Sequence, residues 1–135
     1  MYNDYKPKSP YPEKKDESFG PFFDEKGNLI IDWVGQKAQK FSAEINDREF
    51  KSSALRNFYN EFLRIKNLPP SYNEEKKVLI NLLVSKAHYK RTTGVVPPLF
   101  FSFIQCLIKE VGTDLDKFNK ACLVMEAIVG YFPKK

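Results

Sequence analysis

The sequence predicts an all-α fold: a small bundle of four to five helices behind a mobile N-terminal extension. Three observations carry this. Apolar residues recur at steps of three and four over most of residues 53–132. Pro69-Pro70, Gly94, Pro97-Pro98 and Gly112 punctuate those periodic stretches and leave only short connections between them. The chain has 135 residues, enough for one domain with a core of its own, and its 12 Phe, 7 Tyr and 1 Trp fill a small helical core quickly.

Residues 1–18 carry Pro7, Pro10 and Pro12 among Lys, Asp, Glu and Tyr, with no periodicity and few aliphatics. Such a segment cannot bury enough surface to offset its ordering entropy, so it is expected to be mobile or to order only against a partner. In residues 19–30, Gly27-Asn28 lies between Phe22-Phe23 and Leu29-Ile30. That pattern reads either as a short hairpin or as an extended arm whose rings dock on the helices. The expected division is therefore a largely flexible extension over 1–30 and one helical domain over 31–135.

A first helix is expected over 31–45, with Trp33 or Val34, then Ala38, Phe41 and Ile45 at helical spacing and Asp32 as N-cap; Asn46-Asp47 reads as a break. A second runs from a Ser52 or Ser53 cap to Lys66. It has an apolar stripe of Leu55, Phe58, Tyr59, Phe62 and Ile65 and a polar row of Arg56, Asn60 and Arg64. Ser71 with Glu74 three residues on has the form of a capping box for a third helix, which extends to about Thr92. Its middle, Val78–Val84, is apolar on almost every side, which predicts the central, most buried helix, with the second helix's stripe docked against it. Pro98 opens a fourth helix, with Leu99, Phe100, Phe103, Ile104, Leu107, Ile108 and Val111 as its core side and Gly112 as its stop. Thr113 and Asp116 start a fifth, carried by Leu115, Phe118, Cys122, Met125, Ile128 and Phe132.

Little in the chain suggests chemistry. Cys106 and Cys122 are isolated in apolar runs and read as buried hydrophobes in a reducing compartment. No stretch reaches the roughly 20 apolar residues of a membrane span, and Met1–Lys6 has no apolar signal core, so a cytoplasmic protein without a membrane is expected. His88 is the only histidine, and a helix-end position explains it. Asp114 and Asp116 suit a helix start better than a metal. There is no glycine-rich phosphate loop and no nucleophile elbow. Neither catalysis by this chain alone nor a cofactor is expected.

Charge is more informative. Residues 48–91 hold ten Lys and Arg against four Asp and Glu, net +6, in a chain whose total is only +5. Lys and Arg also solvate helix surfaces, but an excess confined to one third of a chain points to a polyanion. The basic constellation is Lys51, Arg56 and Arg64 on the second helix with Lys86, Lys90 and Arg91 at the end of the third, and Tyr89 among them either stacks on a base or covers the core. Two antiparallel helices would set these groups along one groove, where they would hold phosphates without reading sequence.

Three stretches resemble one family. Ser53-Ala-Leu-Arg-Asn-Phe-Tyr-Asn-Glu-Phe-Leu-Arg-Ile65 is similar to its first signature helix, Leu82–Arg91 to its apolar central helix ending in basic residues, and Phe118 with Met125–Tyr131 to its C-terminal signature. The family is the small subunit of type III-A CRISPR–Cas effector complexes, the Csm complexes, and the likeness covers about residues 48–132. The resemblance implies a helical, non-catalytic subunit of an antiviral complex in a prokaryotic cytoplasm. Copies would self-associate, as a dimer or as stacked copies, beside the backbone subunits and the large polymerase-like subunit, contacting CRISPR RNA and target RNA. Arg56, Lys86 and Arg91 match basic positions of the family motifs, whereas Arg64 and Lys90 join them only by lying on the same faces. Where the family often has Lys-Pro-Lys before this Ala-Tyr segment, the chain reads Leu82-Leu-Val-Ser-Lys86, so part of that charge is missing.

Two other readings compete. A helix-turn-helix DNA regulator is disfavoured by the length of the link Asn67–Tyr72 and by the apolar middle of the helix that would have to enter a groove. A protein–protein adaptor would use exposed aromatics, with the Phe19–Phe23 arm as its interface.

Overall fold

A computed structural model describes residues 19–46 and 50–133. The expected tail over 1–18 and Asp47 of the expected break lie outside the described residues. Five helices form: α1 (Gln36–Asn46), α2 (Ser52–Lys66), α3 (Asn73–Thr92), α4 (Pro98–Val111) and α5 (Leu115–Tyr131). Short 3-10 turns, Ile31–Val34 and Pro70–Tyr72, precede α1 and α3. The fold is all-α, and the described residues contain no β-strand beyond an isolated antiparallel bridge between Phe23 and Leu29.

The core sits on α4 and α5. All seven expected apolar residues of α4, from Leu99 to Val111, are buried. So are Phe118, Ala121, Cys122, Val124, Met125 and Ile128 of α5. Phe103 of α4 is the hub of the aromatic packing, with the rings of Phe19, Phe22, Trp33, Phe41 and Phe100 around it at centroid distances of 4.4–6.3 Å. The hydroxyl of Ser42 on α1 donates to the Ile128 carbonyl of α5 at 2.8 Å. Ile128 lies in the last turn of α5, where carbonyls lack partners within the helix, and the Phe132 amide bonds Val129 instead. A buried polar residue thus closes a helix end.

The stripe of α2 is buried as its spacing predicts: Leu55, Phe58, Phe62 and Ile65 fully, Tyr59 partly. Its main partner is not α3, however. Phe62 stacks on Phe118 of α5 at 5.4 Å, and Phe58 meets Phe100 of α4 edge to face at 5.3 Å. The related correction concerns α3. It is peripheral, packs chiefly on α4, and buries only Ile80, Leu83 and Ala87. Val78 remains 61% exposed, Leu82 45% and Tyr89 68%. Apolar residues spread round α3 can meet the core on only part of its circumference, chiefly the side that packs on α4.

Residues 19–30 combine both expected forms and belong to the core. The turn from Asp24 to Asn28 is held by Asp24, whose carboxylate accepts the amides of Lys26 and Asn28, both at 2.9 Å. The rings face inward: Phe22 is fully buried and Phe23 nearly so. The Phe22 amide donates to Glu110 of α4 at 2.9 Å, the Trp33 indole to the Pro21 carbonyl at 3.1 Å, and Lys120 of α5 to the Gly27 carbonyl at 3.0 Å. Gly20 takes φ +119°, and the Glu110 carboxylate lies where a Cβ would stand. This part of the expected flexible extension is therefore fastened, and it is not an exposed aromatic interface.

Helix starts differ most from expectation. Asp32 lies inside the 3-10 turn, and Gly35 separates that turn from α1. The residue before α2 is Lys51, with no side-chain cap, and Ser52 is already helical. Ser71 falls in a 3-10 turn, α3 starts at Asn73, and Glu74 pairs with Lys77 at 3.0 Å instead of completing a capping box. On α5 the cap is Asp114 and not Thr113: its carboxylate accepts the amides of Asp116 and Lys117.

Candidate functional site

Helices α2 and α3 are joined by a short link. Lys76 reaches the Lys66 carbonyl at 3.4 Å, and Lys86 reaches Glu61 at 2.8 Å. Between those contacts α3 advances as α2 retreats, so the two run in opposite senses. Arg56, Asn60 and Arg64 of α2 are all exposed.

The packing of α2 on α3 brings Arg64 and Lys86 together through a residue that the sequence reading passed over. One oxygen of Glu61, Oε1, accepts from Arg64 Nη2 at 2.9 Å and from Lys86 Nζ at 2.8 Å. The hydrogen bond from Arg64, then that from Lys86, hold the Glu61 carboxyl down to about 2 against the opposing effect of burial. The same bond raises the Arg64 guanidinium above its ordinary range. Glu61 is therefore charged at every ordinary pH, and the three groups together carry one net positive charge. A signal for half of this was present, since Glu61 and Arg64 stand three apart on one helix. The link to Lys86 depends on the angle between helices and leaves no mark in the sequence.

The other expected residues are placed separately. Arg56 lies two turns before Arg64 and borders a groove with Ser52, Leu55 and Val129, Gly130 and Phe132 of the α5 end. Lys90 lies one turn beyond Lys86, and its carbonyl accepts the amides of Val95 and Val96 at 2.8 and 3.2 Å, which turns the chain towards α4. Among the described residues neither Arg56 nor Lys90 forms an ion pair. Arg91 is drawn to α4, its guanidinium 5.5 Å from the Phe101 ring centre. His88 meets the same ring edge to face at 5.5 Å. Phe101, also absent from the sequence reading, thus gathers Arg91 and His88 on one ring. Tyr89 points outward and covers no core.

No catalytic constellation accompanies these groups. Among the described residues no three of His, Cys, Asp and Glu are gathered as a metal site would need. Asp114 is committed to its helix cap. Burial pushes the Cys122 thiol up to about 12, so it is an inert core residue. No described helix is long and apolar enough to cross a membrane.

The described residues form a helical scaffold with two cations of different helices joined at Glu61 and with exposed apolar residues on α3. The chain belongs to the Csm2 Type III-A family, whose sequence model matches residues 29–134. It is accordingly a non-catalytic small subunit that associates within a Csm-type CRISPR complex. No curated protein and no solved structure matches it.

Proposed function

We propose that this subunit lines the RNA path of its complex, contacting the backbone of guide or target RNA through Arg56, Arg64, Lys86, Lys90 and Arg91. The observation that carries the reading is the convergence of Arg64 and Lys86 from two helices at one point. Arg56, exposed on α2, and Lys90, one turn beyond Lys86 on α3, would add further phosphate contacts. Contacts of this kind neutralise phosphates whatever the sequence, which suits a subunit in a complex whose specificity comes from guide pairing. The outward apolar residues of α3, Val78, Leu82 and Tyr89, supply the second surface such a subunit needs. They would carry stacking of copies, or contact with the backbone or large polymerase-like subunits, in an antiviral assembly. That same exposed apolar face disfavours α3 as the reading helix of a DNA regulator. An adaptor without nucleic-acid contact would leave the basic third of the chain without a role.

The test is reversal of Arg56, Lys86 and Arg91 to Glu in the assembled complex. The expected result is a complex that still assembles but engages target RNA more weakly. Unchanged engagement in a fully assembled complex overturns the basic-face reading and leaves the adaptor.

A further inference from the structure

Glu61 gives one oxygen to two cations from different helices. In charge, donor geometry and distance this copies the nonbridging oxygen of a phosphate held by an arginine and a lysine. The two cationic nitrogens lie no further apart than those two contacts laid end to end, a span that one phosphate bridges. Each also keeps donors to spare, since a guanidinium has five N–H groups and an ammonium three. The side chains of Arg64 and Lys86 are 55% and 42% exposed, so an incoming anion can reach them without unfolding anything.

We propose that Glu61 is a built-in phosphate mimic: in the free chain its carboxylate occupies the seat between Arg64 and Lys86 that a phosphodiester of single-stranded RNA takes on binding. The proposal rests on the RNA-contacting reading of this face and deepens it by naming the residue that sets its strength. RNA enters by displacing Glu61, and exposed ion pairs of this kind are weak enough to be exchanged. Because Glu61 stays ionised at ordinary pH, it acts as a constant attenuator and not as a pH switch. Its effect is to keep the separate subunit from holding stray polyanions. RNA fixed at many points along an assembled complex tolerates the competition, because each seat adds to contacts already made.

The test measures binding of a fluorescent oligouridylate to the full chain by anisotropy at several salt concentrations. Glu61→Gln keeps the size of the side chain and removes its charge. It is expected to bind about fivefold tighter, the value of one unit charge at contact distance in water. Its log–log salt dependence is expected to steepen by roughly 0.7, one further phosphate neutralised on a single strand. The gain should vanish when Arg64 and Lys86 are both Gln; a gain that persists there reflects overall charge and overturns the seat. Equal or weaker binding by Glu61→Gln, or no binding by either protein, also overturns it. If the Glu triple at Arg56, Lys86 and Arg91 abolishes RNA binding while Glu61→Gln gives no gain, only the role of Glu61 falls. If that triple leaves RNA binding unaltered, the basic-face reading itself falls, whatever Glu61→Gln does.

Discussion

Helices α3 and α4 lie side by side and are both rich in apolar residues, yet they use them differently. α4 concentrates Leu99, Phe100, Phe103, Ile104, Leu107, Ile108 and Val111 on one side and buries all seven. α3 spreads its apolar residues around the helix, buries Ile80, Leu83 and Ala87, and leaves Val78, Leu82 and Tyr89 in the open. In a bundle of this size a helix has neighbours on only part of its circumference. An all-round apolar helix is then not a central one: one stripe serves the fold, and the rest is surface for something else.

The strongest way to break this comparison is at the hub of α4. Phe103→Ala removes a ring packed against five others, and the enclosed site has little room to collapse. It should cost about 3–5 kcal/mol in urea unfolding. A cost below about 1 kcal/mol would mean that the aromatic core is not what holds the bundle together.

A smaller effect separates the seam between α2 and α3 from that core. The Glu61 carboxyl has an ordinary value near 4.5 and is held at about 2 in the folded chain. A lowered carboxylate pKa stabilises the fold above its unfolded value, and this stability is lost as pH falls towards the folded value. The stability gap between the wild type and Glu61→Gln should therefore be full at pH 6 and shrink between about pH 4.5 and 2. Water screens this exposed pair, so the gap is on the order of 1 kcal/mol at most. A gap independent of pH would show that the ion pairs do not join the two helices in solution.

How much of this was legible follows from the same contrast. The stripe of α4 was readable residue by residue and those of α2 and α5 in large part, with Tyr59 and Leu115 only half-buried and Ala121 and Val124 missed, because burial on one side imposes helical spacing on the sequence. Three things were not. The position of α3 was misread, since periodicity cannot tell an apolar face that meets the core from one that meets a partner. The caps at Ser52 and Ser71 were misplaced: Ser52 is already helical behind Lys51, Ser71 falls in a 3-10 turn, and the Asp114 carboxylate caps α5 where Thr113 was expected. At the candidate site, Arg56, Arg64, Lys86, Lys90 and Arg91 were found by charge and resemblance. Glu61 and Phe101, which gather three of those five side chains and His88 into clusters, were not: a carboxylate and a ring between helices only acquire partners once the helices pack. Of the basic constellation, Lys51 alone proved to lie at a helix start, next to α2.

The smallest effect on stability is the most telling about α3. Val78 and Leu82 are one turn apart on its outer side, and each already meets water. Replacing both with Ser removes little buried apolar area, so the isolated chain should unfold within about 0.5 kcal/mol of the wild type. If the exposed face is surplus to the fold because it is held by another subunit, the same pair of changes should lower incorporation into the assembled complex, read by co-purification with the other subunits. The two measurements must diverge. A large loss of stability would place this face in the core after all, and unchanged assembly would leave its apolar character without a purpose. Phe103→Ala gives the opposite pattern, a heavy cost to the isolated chain with assembly failing only because the subunit unfolds. A fold-bearing apolar face and a partner-bearing one, adjacent in space and alike in composition, are thus separated by which of two assays responds.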